Sequence, residues 1–475
     1  MGTLLLKQIH TLATFDADRR RLHGAWVLIR DDQIEAVGLS GSEPAGAEQQ
    51  LDLTDHVVLP GLINMHHHFF QSQLRNLPNL QDAPLFSWLA NMFSVASEMT
   101  DEDLYTACLV SLAQLLLSGC TTTIDHLTFR VNDMRFDTSI QAARDLGMRF
   151  YLGRGSVTLG QSQGAAPPDA VVEGEDDILA DTERLLQAYH DPRPRAMVRV
   201  VVAPNSLYQS SLRLMRESAR LARKYQTLSH IHLAVNEEEA AFVGERYGKR
   251  SVALAEEAGL VGPDVWYAHA VALDDQDIQT LARTGTGVAY CPNANMFQAY
   301  GCCPVKRLLR AGVNVSLGVD GSGANNASNM LDEARNALLL QRVFHGAGEL
   351  SATQALEIAT LGGAMALGRD ELGVIAPGKA ADIIAVDLRR LSFAGGLHDP
   401  VAALVLTEAG HVDLSIINGR IRVADGRLVG VDVPALIRQQ NDRAAALVQR
   451  AEKRYGTSYT RLAWRRAFPY DDASA

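Results

Sequence analysis

At 475 residues, with 47% hydrophobic and 21% charged positions, the chain is too long for one small domain and too ordinary in composition to be disordered or fibrous. Its net charge of −11, with no long basic run, argues against nucleic acid or an anionic membrane as partner, since both require basic patches. The opening MGTLLLKQIHTLATFDADRR lacks the layout of a secretory signal, and no window approaches the roughly 18 apolar residues of a membrane helix. Five scattered cysteines, Cys108, Cys120, Cys291, Cys302 and Cys303, suit reduced thiols, so a cytoplasmic location is expected.

Residues 1–58 read as short apolar runs separated by turn residues, with Asp31-Asp32 between WVLIR and QIEAVG as a hairpin signal. Such a unit is too small to stand alone. From 59 to 370 strand-like runs alternate with helical ones. VVLPGLINM, TTTIDH, RFYLGRG, VRVVVAP, TLSHIHLAV, VWYAHAV, GTGVAYCP and NVSLGVD read as eight strands. Between them lie segments such as DEDLYTACLVSLAQLLLSG, apolar at three- and four-residue spacing and closed by Gly119. Eight such alternations favour an α/β fold, a closed (β/α)8 barrel. An open doubly wound sheet is the rival, but no GxGxxG turn follows an early strand. After 370 the chain returns to β character. Residues 1–58 and 371–430 are therefore expected to join as a small β-sandwich, with 431–475 a helix and tail.

Metal-binding side chains fall at strand ends. His66 and His68 follow the first strand, and strand alternation turns both to one face and His67 to the other. His232 ends the fifth strand, His269 the sixth and Asp320 the eighth. A lone histidine is more often a satisfied core residue; five such groups at the C-terminal rim of a barrel describe an active site. Four imidazoles and a carboxylate suit one divalent metal per chain. Zinc is expected first, with iron, manganese and cobalt as alternatives because imidazole discriminates weakly.

PGLINMHHH, HIHLA, YAHA, LGVDGSG and LGVIAPGKAADIIAVDL together resemble the amidohydrolase superfamily. Within it the chain is similar to the aminohydrolases of nitrogen heterocycles, the 8-oxoguanine deaminase, hydroxyatrazine and s-triazine hydrolase branch. HHHFFQSQLRNL, SGCTTTIDH, GRGSVTLG, HDPRPRAMVRVVVAP and LHDPVAAL extend the similarity from about residue 20 to 440. The resemblance implies a single metal on His66, His68, His232 and Asp320. It also implies Asp320 as general base and His269 as the group that polarises the attacked atom or orients the water. The expected substrate is a small heterocycle, 8-oxoguanine-, pterin- or s-triazine-like, losing ammonia; the expected assembly is a homo-oligomer, a dimer.

Departures from the pattern carry their own expectations. The branch places a proton-shuttling Glu after His-Leu-Ala; here that position is Val235, followed by Asn236, Glu237, Glu238 and Glu239. Loss of that acid leaves two alternatives. One is hydrolysis of another leaving group, an alkylamine, halide or ring amide; the other is a weakly active homologue. Asn205 replaces a cysteine of the 8-oxoguanine enzymes, and the Gly321–Asn326 stretch, with Ser322, also differs. Gln71, Arg75, Trp88, Asn205, His269 and Ser322 are the expected substrate contacts. Arg75 is equally suited to a structural ion pair and Trp88 to a helix core. His126 and Asp125 end strand two on the same rim, where function and packing weigh evenly. His230 is expected to support His232, and Cys291 to shape the pocket.

Overall fold

The computed structural model describes residues 2–407 and 410–460. Its centre is a closed barrel of eight parallel strands: Leu62–Asn64, Cys120–Leu127, Arg149–Arg154, Val198–Val202, Ser229–Leu233, Val265–His269, Gly287–Tyr290 and Val315–Leu317. Pairing of Leu317 with Asn64 closes the ring. All eight strand-like runs of the sequence occupy these positions, and the strands are buried along nearly their whole length. Helices cover the outside. Asp101–Leu117, opened by a Thr100–Asp103 capping box, stops where Gly119 takes a φ of 86° that favours glycine.

Both chain ends build a second sheet. Arg427–Leu428, Arg420–Ala424, Leu414–Ile417, Ile383–Asp387, His56–Pro60, Thr3–Ala13, Arg21–Arg30 and Gln33–Leu39 follow one another, and Gln49–Asp52 pairs with Thr3–Ala13. The Asp31-Asp32 turn joins Arg21–Arg30 to Gln33–Leu39 as an antiparallel hairpin. Antiparallel pairing of His56–Pro60 with Ile383–Asp387 stitches the N-terminal strands to the C-terminal ones. Leu6, Ile9, Val27, Val58, Ile383 and Ile416 share a buried core there. The strands are hydrogen-bonded as one continuous nine-stranded sheet.

That sheet runs to Pro60, two residues past the expected boundary at 58. One apolar run therefore serves both sheet and barrel, crossing over at Gly61. A Cβ there would lie 2.0 Å from Thr121 Oγ1, so only glycine lets the run pass the second barrel strand. Arg149 of the third barrel strand reaches back to bind Asp382 through Nε at 2.7 Å and a terminal nitrogen at 2.9 Å, both side chains buried. The C-terminal helix spans Val433–Tyr455 and packs on Asp101–Leu117. The expected tail from 461 onward lies outside the described residues.

Candidate metal centre

Four histidines and one aspartate converge at the C-terminal rim of the barrel. His66 Nε2 and His68 Nε2 lie 3.4 and 3.5 Å from Asp320 Oδ1, and His269 Nε2 lies 3.7 Å from Asp320 Oδ2. His66, His68, His126 and His232 form one buried group with the spacing of metal ligands; His66, His269 and Asp320 form a second. Asp320, His269 and Asn205 adopt φ values of 62°, 72° and 72°, left-handed backbone at the ends of strands eight and six and just past strand four. Strain of this kind persists where surrounding structure enforces it, and it clusters at active sites.

Hydrogen bonds on the far side of each ring decide what the near side offers. His68 Nδ1 faces the His126 carbonyl at 2.6 Å and His232 Nδ1 faces the Asn205 carbonyl at 3.2 Å. A carbonyl only accepts, so each ring carries its proton on Nδ1 and presents a lone pair at Nε2. Those two Nε2 atoms face each other at 3.0 Å. Two lone pairs so placed repel unless a cation lies between them. Burial holds both imidazoles below their ordinary pKa, which disfavours a shared proton. The donor set therefore fits a metal ion.

His66 is oriented by a longer relay. His230 donates from Nδ1 to the Trp266 carbonyl at 3.1 Å, leaving its Nε2 to accept from His66 Nδ1 at 2.8 Å. His66 Nε2, buried and without a partner, is left free to bind a cation. His230 thus supports His66 across the barrel, whereas the sequence led to the expectation that it supports His232. The two share a strand but their rings are 6.4 Å apart, one pleat repeat deeper. His269 Nδ1 pairs with Asn295 Oδ1 at 2.9 Å. Burial raises the Asp320 carboxyl, but His269, His68 and His232 with the Gly321 N–H outweigh it and hold Asp320 below the usual carboxylate range. Gly318 lets strand eight approach strand one, since a Cβ there would sit 2.6 Å from His66 Cβ.

Above the cluster is a narrow cavity whose lining includes His68, His232, His269 and Asp320. Among the expected substrate contacts, Gln71, Trp88, Asn205 and His269 line it. Arg75 and Ser322 do not: they bond each other at 3.0 Å, and Arg75 also donates to Gln114. Ser322 Oγ in turn meets Ser328, which meets His67. That buried chain braces the loop carrying Asp320 from behind. His126 donates from Nε2 to the Ala203 carbonyl at 3.1 Å and joins the ligand cluster, while Asp125 accepts from the Phe69 N–H and Ser139, away from the cluster. Cys291 is buried behind Gly318 and outside the cavity wall. Tyr208, Gln209 and Tyr300 also line the cavity; they lie on loops after strands four and seven with no spacing signal to reveal them.

Residues 57–422 match the model of the amidohydrolase family. The chain is 41% identical over 440 residues to 8-oxoguanine deaminase of Pseudomonas aeruginosa, covering 92% of this chain and 98% of that one. It is 39% identical over 457 residues to hydroxydechloroatrazine ethylaminohydrolase of Pseudomonas sp. strain ADP, covering 92% and 94%. The structure of atrazine chlorohydrolase from Arthrobacter aurescens TC1, complexed with zinc, superposes with a TM-score of 0.88 at 30% identity, over 93% of this chain and 100% of that one. The chain belongs to the amidohydrolase family.

Proposed function

We propose that this chain is a metal-dependent hydrolytic deaminase of a nitrogen heterocycle. The observation that carries the reading is the convergence of unprotonated Nε2 atoms on Asp320 beneath a cavity lined by aromatic side chains and a few polar ones. His66, His68, His232 and Asp320 are proposed to hold one divalent ion, zinc first and iron next. Such an ion would supply Lewis acidity, lowering the pKa of a water to about 7. Asp320, whose carboxylate accepts from the Gly321 N–H, takes the proton of the attacking water. The water oxygen bonds to the ring carbon, the C–N bond breaks, and the proton held by Asp320 passes to the departing amine, which leaves as ammonia. His269, beside Asp320 and lining the cavity, orients the attacked carbon or the water.

Val235 favours a second reading. Among the described residues lining the cavity Asp320 is the one carboxylate, so a leaving group that departs unprotonated, such as a halide, places the smaller demand on this site. The five thiols, none in a disulfide, support a reducing, cytoplasmic setting. The discriminating experiment is an ammonia-release assay over oxopurines, pterins and aminotriazines, with chloride release from chlorotriazines in parallel. Ammonia release abolished by Asp320→Asn is expected; turnover restricted to chlorotriazines would replace the deaminase with the second reading.

A further inference from the structure

Three side chains on the cavity wall have buried polar atoms that no protein group satisfies. Asn205 is buried, and neither its Oδ1 nor its Nδ2 has a hydrogen-bond partner. Gln209 accepts from Ser206 Oγ at 3.0 Å through Oε1, which fixes its amide and leaves Nε2 as the unpartnered atom. Trp88 Nε1, on the helix Leu85–Ala96, is likewise buried and unpartnered. A structural role explains Asn205 poorly. Its left-handed φ of 72° would be met more cheaply by glycine, and its carbonyl alone holds His232. Burying both ends of an amide without partners is unfavourable, and native structures rarely do so without reason.

The chemistry of these atoms specifies their complement. A side-chain amide offers an acceptor and a donor side by side, which matches the donor and acceptor of a ring lactam, –NH–C(=O)–. An amidine edge, N=C–NH2, offers the same pair, but its amino group is the one that must reach Asp320. Gln209 Nε2 and Trp88 Nε1 only donate, so they call for further acceptors, a second ring carbonyl or ring nitrogen. We propose that Asn205 and Gln209 are the specificity determinants of this site, Asn205 reading the lactam edge of an oxo-heterocycle and Gln209 a second acceptor on the same ring. This rests on the reading of the chain as a heterocycle hydrolase and narrows its substrate to oxopurine- or pterin-type rings. Rings bearing only chloro and alkylamino groups present no carbonyl and leave Asn205 unsatisfied.

The test is titration calorimetry of the zinc-loaded protein with urate and 7-hydroxylumazine, and with their ethers in which each lactam in turn is O-methylated. Ammonia release from 8-oxoguanine and isoxanthopterin is measured alongside. For at least one ring, the wild-type protein should bind one ether about 10- to 100-fold more weakly than the lactam, the usual cost of one lost buried hydrogen bond. Asn205→Gly, which keeps the left-handed backbone and the carbonyl on His232, should bring lactam and ether to within about threefold at unchanged metal content. Gln209→Leu should weaken both together. Equal binding of lactams and ethers, a preference that survives Asn205→Gly, or binding of neither ring overturns the proposal. Lactam preference without ammonia release would remove the deaminase and leave the recognition standing; ammonia release without lactam preference would do the reverse.

Discussion

Val235 stands where the resemblance calls for an acid, and in the fold it is a buried part of the cavity wall. The carboxylates that follow it do not take its place: Glu237 is exposed, Glu238 accepts from the Phe86 N–H at 3.4 Å, and Glu239 is tied to backbone. General acid–base help is worth about 10²–10⁴-fold. Val235→Glu is therefore expected to raise ammonia release from an aminated oxopurine at least about tenfold, a cautious share of that range. A variant that folds, binds metal and gains nothing would mean that Asp320 alone carries the protons. The proposed metal ligands were legible in the sequence because each closes an apolar run and the runs count to eight. The partners that orient them were not: His230 to His66 and Asn295 to His269 are contacts between strands and loops far apart in the chain. Arg75 read as a pocket residue because it follows the first strand, yet its side chain satisfies Ser322 and Gln114.

The helix Glu237–Tyr247 begins directly after the strand that ends near His232, and its first turn locks that strand end in place. Asn236 caps it through the Glu239 N–H, and the buried Glu239 carboxylate accepts from the Ala234 and Val235 N–H groups at 3.1 and 2.5 Å. Burial raises Glu239 to about 7, against the lowering influence of the Val235 N–H, Ser251 and the Ala234 N–H. A carboxyl whose folded pKa lies above its unfolded value of about 4.3 contributes stability that is full below that value and lost as pH rises through about 7. Relative to Glu239→Gln, the wild-type protein should lose up to about 3 kcal/mol of stability between pH 4.5 and 8. Urea unfolding of both proteins at several pH values measures this, and parallel curves would show that Glu239 does not titrate there. The cap is visible in Asn236-Glu-Glu-Glu239, but which glutamate turns inward depends on the strand it meets.

Sheet and barrel meet through the crossover at Gly61 and the Arg149–Asp382 pair. Alternation of strand and helix made the barrel readable, and the β character of both ends made their union readable. The ion pair that joins them was invisible, because its partners lie 233 residues apart in the chain. Removing one member of a buried pair leaves an uncompensated charge, so Arg149→Met should cost about 3–5 kcal/mol in unfolding free energy, and Arg149→Met with Asp382→Leu considerably less. Equal losses in both would assign the cost to packing alone. Whether His66, His68, His232 and Asp320 hold one catalytic metal is decided by elemental analysis of the purified protein and of His66→Ala and His232→Ala, with heterocycle turnover followed through chelation and metal return. About one divalent ion per chain, lost in both variants, with turnover abolished by chelation and restored by zinc or iron, is the expected result; full metal content in the variants, or undiminished turnover after chelation, would contradict it.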